Sequence, residues 1–231
     1  MKQNHDRVVN ATVRRMNHGC SRHFEPLVKL VEVIHAFLKR RGSTATMQRV
    51  WDIEYTSGKW DPTEDDTGSV RSRRDSALEV VERYSAGADI LDLGCGLGAT
   101  ALEIADTYKS YVGVDVSNKA IERAALAMRL NPSRASKITY VVRDISTYVP
   151  PKPFSVILFR ESIYYIPQHK TLATLRRFAS FLSPNGVFIV RVHDRRKYRR
   201  LLKMIERNFR VVEWRLPDNG MTATVVFSLR A

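Results

Sequence analysis

Cysteine and long apolar runs are both scarce in this chain. Only Cys20 and Cys95 occur among the 231 residues, too few for the disulfide framework of a small secreted protein. No stretch approaches the roughly 18 consecutive apolar residues that a membrane-spanning helix needs. These absences exclude a disulfide scaffold and a membrane-spanning protein, and they favour a cytoplasmic location. The length suits one domain with an elaboration.

Acidic residues are also in deficit, with 24 Asp and Glu against 38 Lys and Arg, giving a net charge of +14. Half of this excess lies in residues 191–210, which hold nine basic side chains against Asp194 and Glu206. Two interpretations stay open: a solvated helix face, or a surface for RNA or another anionic partner. The residues expected to carry such binding are Arg195, Arg196, Lys197, Arg199 and Arg200. The oligomeric state is not legible from the sequence.

Short β-branched and aromatic runs alternate with helical patterns from residue 88 onward. The predicted strands are 88–93, 111–115, 138–142, 154–160 and 186–192, and the predicted helices are 99–107, 117–129, 169–181 and 195–207. This alternation is typical of a three-layer, Rossmann-like α/β fold with a mostly parallel sheet. Two further strands, 209–216 and 222–229, flank the turn sequence Pro217–Gly220 and predict a C-terminal antiparallel hairpin.

The region ahead of the sheet is less regular. Residues 1–23 are expected to form a basic leader, and helices are predicted near 25–41 and 71–84. We therefore expect two parts: an N-terminal helical cap or lid over residues 1–85, and a catalytic core over residues 86–231.

A glycine-rich loop follows the first predicted strand of the core. Gly94, Gly96 and Gly98 alternate with Cys95 and Leu97 before a helix begins. A dinucleotide-binding loop has the different spacing G-x-G-x-x-G, which lets a pyrophosphate rest on the helix N-terminus. Here Asp92 lies two residues before the first glycine. Its carboxylate would repel a pyrophosphate and suits a cationic group, such as the ammonium of an amino acid.

Two more carboxylates end the next two strands. Asp115 follows the second strand, where an acid can accept hydrogen bonds from both hydroxyls of a ribose. Asp144 follows the third strand, where it can meet an adenine amino group, although it can instead cap a helix before Ser146 and Thr147. An amino-acid acceptor, a ribose acceptor and an adenine acceptor together match S-adenosylmethionine.

With these motifs in order, residues 86–231 resemble the class I S-adenosylmethionine-dependent methyltransferases. The resemblance implies that Asp92 and the glycine loop, Cys95 included, approach the methionine portion of the cofactor. It implies further cofactor contacts at Asp115, Val116, Asp144, Ile145 and Arg160. No metal site is expected. The family usually has Leu-x-Pro-Gly-Gly before the fifth strand; here Asn185 replaces the first glycine, and Asn also tolerates a positive φ.

The fourth strand is followed by residues that point to the methyl acceptor. The run from Glu161 through Tyr164 to Ile166 resembles small-molecule methyltransferases, including nodulation-type enzymes that N-methylate a sugar amine. The Asn/Asp-Pro-Pro-Tyr motif of enzymes that methylate DNA bases or glutamines is missing. We therefore expect methyl transfer to a nitrogen or oxygen of a sugar or specialised metabolite. An RNA-directed methyltransferase, or an RNA-binding relative, is the alternative.

The candidate catalytic residues are Glu161, Tyr164 and His193. Glu161 can hold a cationic or hydroxylated substrate, Tyr164 can wall the pocket, and His193 can accept a proton. Packing at the start of a helix explains the tyrosine equally well, and a structural role explains His193. Tyr55 and Trp60 resemble a segment that closes over the cofactor, and the alternative is that these aromatic side chains pin the cap to the core.

Overall fold

The computed structural model describes residues 42–61, 76–216 and 220–230, together with six residues between 31 and 38. The chain divides into two compact units, Met1–Pro62 and Thr63–Ala231, and each is considered by itself. The predicted leader, the start of the predicted helix at residue 71 and most of the predicted turn at 217–220 lie outside the described residues. The boundary after residue 85 stays a prediction. No helix within the described ranges is long and apolar enough to cross a membrane.

The first unit contains a helix that the sequence patterns left unassigned. This helix, α1, spans Thr44–Thr56 and begins after Ser43, whose hydroxyl accepts a hydrogen bond from the Thr46 amide at 3.2 Å. Helical residues also occur within 31–38. The Gly42 amide donates to the Leu38 carbonyl at 2.8 Å, so the chain turns where the helix predicted near residues 25–41 ends.

The second unit is built on one seven-stranded sheet. Its strands are β1 Asp89–Leu93, β2 Ser110–Asp115, β3 Ile138–Val142, β4 Phe154–Arg160, β5 Leu182–Val192, β6 Arg210–Arg215 and β7 Ala223–Ser228. Its helices are α2 Ser76–Ser85, α3 Ala99–Glu103, α4 Asn118–Met128, α5 Pro132–Ala135, α6 Gln168–Ala179 and α7 Arg199–Asn208, with a 3₁₀ turn at Ile163–Tyr165. The strand order is β3-β2-β1-β4-β5-β7-β6. The first five strands are parallel and β7 is antiparallel to both of its neighbours, which confirms the predicted fold class.

Alternate residues of the central strands are buried on opposite faces of the sheet. Leu91 and Leu93 of β1 belong to one apolar cluster, with Ile157 of β4, whereas Ile90 and Leu158 belong to a second cluster. All five side chains are fully buried. A strand buried on both faces has the nearly continuous apolar sequence that predicted these strands.

Three element boundaries differ from the sequence predictions by about four residues, whereas the others within the predicted core differ by no more than about two. Helix α3 ends at Glu103 instead of residue 107, because Ile104 has an extended backbone. Helix α7 begins at Arg199 instead of 195, because Asp194 binds two backbone amides and holds residues 195–198 in a turn. Strand β5 starts four residues early and includes Asn185, whose φ of 63° confirms the expected left-handed backbone there.

Candidate cofactor and acceptor site

The predicted site residues of the second unit follow the carboxyl ends of parallel strands. Strands β1 and β4 are neighbours, yet the chain runs from β1 toward β2 on one side and from β4 toward β5 on the other. A ligand-binding crevice forms outside the carboxyl ends of strands at such a switch point. The topology therefore brings the cofactor and acceptor candidates to one edge of the sheet.

Asp92 is a buried carboxyl in β1, only 1% exposed. The Tyr111 hydroxyl donates a hydrogen bond to its Oδ2, whereas Oδ1 is buried with no hydrogen-bond partner among the described residues. Burial raises the pKa of Asp92 to about 6, although the Tyr111 hydrogen bond and the nearby Arg160 act to lower it. A buried acceptor without a donor fits an ammonium group at this position.

The glycine loop turns tightly at the end of β1. The Gly94 and Cys95 amides both donate to the Val114 carbonyl, at 2.7 and 3.1 Å, and the Gly98 amide donates to the Cys95 carbonyl at 3.0 Å. Gly94, Gly96 and Gly98 have φ values of 82°, 53° and 76°, a region that favours glycine. Burial raises the pKa of the Cys95 thiol well above its usual value, so this cysteine is a neutral packing residue.

Two of these glycines are also required by close packing. A Cβ atom on Gly94 would lie 2.4 Å from the Cβ of Ser162, and one on Gly98 would lie 2.5 Å from the Tyr140 hydroxyl. Ser162 is itself held by a hydrogen bond from its hydroxyl to the Leu93 carbonyl. The loop is thereby fixed against the segment that follows β4.

Asp115 braces the glycine loop from the end of β2. Its Oδ2 accepts the Gly96 amide at 3.0 Å, and its Oδ1 accepts the Ser117 amide at 2.9 Å. The side chain is 7% exposed. Because each carboxylate oxygen has a second lone pair, these bonds leave acceptor capacity for the two hydroxyls of a ribose. The arrangement fits the role that the resemblance implies.

The candidate adenine contacts also have structural roles. Asp144 Oδ1 accepts the Ser146 amide at 2.8 Å and so caps a turn at residues 145–147, not the helix considered as its alternative. Ile145 packs against the core, and its carbonyl accepts a hydrogen bond from Arg177. Val116 is half-buried. Their contacts with adenine stay predictions.

The three candidate catalytic residues meet beyond β4 and β5. Glu161 Oε2 accepts hydrogen bonds from the Tyr164 hydroxyl at 2.7 Å and from the His193 backbone amide at 3.0 Å, and it lies 2.9 Å from His193 Nδ1. Its Oε1 is paired with Arg191. Glu161 has a φ of 59°, unusual for a residue other than glycine. Backbone strain of this kind often accompanies functional sites.

Stacked aromatic rings support this network, which we call the acceptor network: Glu161, Tyr164 and His193. Tyr198 stacks on Tyr164 with ring centroids 4.3 Å apart and an interplanar angle of 9°. Tyr198 also meets the His193 ring edge-on, at 5.4 Å. Burial and the adjacent Glu161 raise the pKa of Tyr164, so its hydroxyl is a hydrogen-bond donor at neutral pH.

Four further residues lie next to Asp92 or the acceptor network. Arg160, predicted to bind cofactor, donates to the Thr100 hydroxyl at 3.4 Å and pairs with Glu103 at 3.3 Å, so it links β4 to α3 beside Asp92. Tyr111, Arg191 and Tyr198 were not predicted as site residues. No sequence signal distinguishes them from strand or core residues, because the site residues that they contact, Asp92, Glu161 and Tyr164 respectively, lie far away in the chain.

The first unit holds its own aromatic cluster. Tyr55 stacks on Trp51 at 5.9 Å, and Trp60 lies 5.8 Å from Trp51. The Trp60 indole N–H donates to the buried Glu54 at 3.0 Å, and His35 lies 3.3 Å from the same carboxylate. These contacts all lie within the first unit. The cofactor contacts of Tyr55 and Trp60, and the alternative that they pin the cap to the core, both stay predictions.

The sheet order, the closing hairpin, the glycine loop and the two strand-end carboxylates define the class I S-adenosylmethionine-dependent methyltransferases. Within the described residues, no group of three or more His, Cys, Asp or Glu side chains is arranged to hold a metal ion. The family model described as a methyltransferase domain matches residues 70–227. The chain therefore belongs to the methyltransferase domain family.

Individual relatives agree with this assignment. Nodulation protein S of Bradyrhizobium diazoefficiens is 30% identical over 131 residues, covering 56% of this chain and 61% of that protein. Phosphoethanolamine N-methyltransferase 2 of Caenorhabditis elegans is 27% identical over 127 residues, covering 52% of this chain and 28% of that protein. The match thus spans less than two thirds of either relative.

A solved structure shares the fold. The N-methyltransferase NodS from Bradyrhizobium japonicum WM9, in complex with S-adenosylhomocysteine, superimposes with a TM-score of 0.62 at 18% identity. The superposition covers 80% of this chain and 98% of that one. This likeness confirms the predicted Rossmann-like architecture.

Proposed function

We propose that this chain transfers the methyl group of S-adenosylmethionine to an amine nitrogen or hydroxyl oxygen of a small molecule, such as a sugar or specialised metabolite. The observation that carries the proposal is the acceptor network of Glu161, Tyr164 and His193, which follows β4 and β5 at the same sheet edge as Asp92 and Asp115. The similarity to nodulation protein S and to a phosphoethanolamine N-methyltransferase supports a small amine-bearing acceptor.

Asp92 and Asp115 would hold the cofactor. The buried Oδ1 of Asp92 accepts the ammonium of the methionine portion, and Asp115 accepts the ribose hydroxyls while it braces the Gly96 amide. When bound, S-adenosylmethionine supplies a methyl group on a sulfonium, which is open to in-line attack. The main contribution of the protein is then to align the attacking atom with that methyl group.

The acceptor network would receive the proton of the attacking amine or hydroxyl. Glu161 lies 2.9 Å from His193 Nδ1, and this contact favours the tautomer with hydrogen on Nδ1. The other ring nitrogen, Nε2, then carries the lone pair that accepts a proton. Arg191 fixes Glu161 from the other side, so the imidazole orientation is determined by two strand ends.

The test uses S-adenosylmethionine labelled in its methyl group, incubated with an extract of the source organism that is afterwards separated into small-molecule, RNA and protein fractions. We expect label in the small-molecule fraction. His193→Asn is expected to lower the rate at least about tenfold, because general-base catalysis contributes that much or more. Its affinity for S-adenosylhomocysteine should change less than about twofold, since His193 is not among the proposed cofactor ligands.

His169→Asn is the matched control, because His169 is an exposed histidine on α6 outside the acceptor network. Asp115→Ala, which removes both carboxylate oxygens proposed to hold the ribose, should abolish labelling of every fraction. Label confined to RNA or protein would refute a small-molecule acceptor. A full rate with His193→Asn would refute the proton-accepting role alone.

A further inference from the structure

A group of exposed cations lies between β5 and the first turn of α7. We call it the basic cluster, and it consists of Arg195, Arg196, Lys197, Arg199 and Arg200, all of them exposed. Among described residues, the ion pairs of this region join Arg191 and His193 to Glu161, and none involves the cluster. The adjacent Asp194 accepts the Arg196 and Lys197 backbone amides, both at 2.9 Å, through a single oxygen.

This arrangement opposes the electrostatics of the helix that it precedes. The N-terminal end of a helix carries partial positive charge, and acidic residues are the ones that stabilise it. The first turn of α7 has no acidic residue and instead begins with Arg199 and Arg200. Five cations beside a positive helix end repel one another and the helix dipole. A bound anion would offset this repulsion and accept hydrogen bonds from the arginines.

The basic cluster borders the acceptor network directly. Tyr198 lies in the middle of the cluster, and its ring is stacked on Tyr164 and touches the edge of His193. An anion held by the cluster therefore lies beside the residues that we propose to receive the acceptor. One face of the Tyr198 ring is stacked on Tyr164 and Lys197 Nζ lies 5.4 Å from the ring centroid, so this ring is less accessible to single-stranded RNA bases than a fully exposed one.

We infer that the basic cluster binds an anionic group, a phosphate or a sulfate, carried by the small-molecule methyl acceptor. The inference rests on the proposed function and narrows its substrate class to anionic amines or alcohols. Arginine suits the role because its planar guanidinium forms paired hydrogen bonds with the oxygens of such groups. One end of the acceptor would be held by the cluster while its amine or hydroxyl meets the acceptor network.

The binding test titrates inorganic pyrophosphate into the protein saturated with S-adenosylhomocysteine, followed by calorimetry. Wild type is expected to bind one pyrophosphate per chain. The double variant Arg195→Ser/Arg196→Ser should bind it at least about tenfold more weakly, because two charge-assisted contacts are lost. The matched control is Lys203→Ser/Arg207→Ser, which removes the same charge farther along α7 and should change the affinity less than about twofold.

The methylated product gives a second, independent readout. The labelled product from the metabolite extract is expected to bind an anion-exchange resin, and phosphatase or sulfatase treatment should release it. Arg195→Ser/Arg196→Ser should raise the KM for that acceptor at least about tenfold. A labelled product that carries neither a phosphate nor a sulfate group would overturn the inference while leaving the methyltransferase proposal intact.

The remaining outcomes separate the two proposals. Failure of pyrophosphate to bind, while S-adenosylhomocysteine still binds, overturns the anion site only. Equal losses in both double variants would indicate an unspecific charge effect and overturn it too. RNA that binds more tightly than pyrophosphate and is itself methylated would replace the small acceptor with a nucleic acid. Failure to bind S-adenosylhomocysteine overturns the proposed function.

Discussion

Asp92 is an ionisable carboxyl placed in an apolar, buried strand. It occupies a strand with apolar neighbours on both sides, and the fold buries it almost completely. The Tyr111 hydroxyl contacts one of its oxygens, and burial still raises the pKa of the group to about 6. A buried ionisable group with a perturbed pKa at a strand end is characteristic of a functional site.

This pKa predicts how the cofactor-free protein responds to pH. The unfolded chain loses the Asp92 proton near pH 3.8 and the folded chain loses it near pH 6, so between these values the free energy of unfolding falls as pH rises. The stabilising contribution of the protonated Asp92 carboxyl is complete below pH 3.8 and lost above about pH 6. The free energy of unfolding of Asp92→Asn, relative to wild type, should therefore rise by about 3 kcal/mol between pH 3.5 and pH 7. Urea denaturation of both proteins at both pH values measures this change.

Asp89, on the same strand, has a pKa shifted in the opposite direction. Burial acts to raise its pKa, but hydrogen bonds from Lys152 and Ser110 hold the pKa below the usual value. The stabilising contribution of ionised Asp89 is therefore lost as pH falls. The free energy of unfolding of Asp89→Asn should rise relative to that of wild type toward low pH. An Asp92→Asn difference that does not vary with pH would contradict the buried, protonated carboxyl.

At the scale of elements, the early end of α3 is explained by a residue from another helix. The Arg134 guanidinium, from α5, donates through Nη1 to the carbonyls of Ala101, Leu102 and Ile104, at 2.9, 3.3 and 2.8 Å. The last carbonyls of a helix have no partners within it. A cation placed there satisfies them and complements the negative end of the helix.

Arg134→Ala should therefore lower the free energy of unfolding by about 2 kcal/mol, since it leaves three carbonyls without this donor. The loss is measured by chemical denaturation at neutral pH. Lys203→Ala, at an exposed position in the middle of α7, serves as the control and should shift the free energy of unfolding by less than about 0.5 kcal/mol. An equal effect of both variants would refute the capping role.

At the scale of the whole second unit, the C-terminal hairpin is fastened to the parallel sheet by aromatic packing. Phe227 of β7 stacks on Phe188 of β5 with centroids 5.1 Å apart, and Phe209 lies 5.0 Å from Phe227. All three side chains are buried. Phe188 and Phe227 are also register partners across the antiparallel pair, so one ring contact joins sheet pairing to the core.

Phe227→Ala should accordingly cost about 3 to 5 kcal/mol of unfolding free energy, because it opens a cavity under the hairpin. Phe227→Leu keeps much of the volume and should cost less than half as much. Urea denaturation of both variants measures the difference. Similar costs for the two substitutions would mean that ring stacking, and not filled volume, determines the stability of this contact.

Local patterns in the sequence were sufficient for most of the fold. The predicted strands 138–142 and 154–160 coincide with β3 and β4. Strand β4 is buried on both faces and has a short apolar run, whereas β3 is a half-buried strand at the end of the sheet order and was predicted by its β-branched and aromatic residues. Asn185 was expected to adopt a positive φ, and it does. The strand–helix alternation likewise predicted the parallel sheet and its closing hairpin.

The sequence by itself determined the glycine loop and the carboxylates that follow strands, since strand ends and turns are local properties. Only the tertiary structure decided which groups meet: the Tyr111 hydroxyl with Asp92, and Arg191 and His193 with Glu161. Such pairs depend on the register of neighbouring strands, which no local pattern encodes. The ends of α3 and α7 were likewise decided by Arg134 and Asp194, through hydrogen bonds outside each helix.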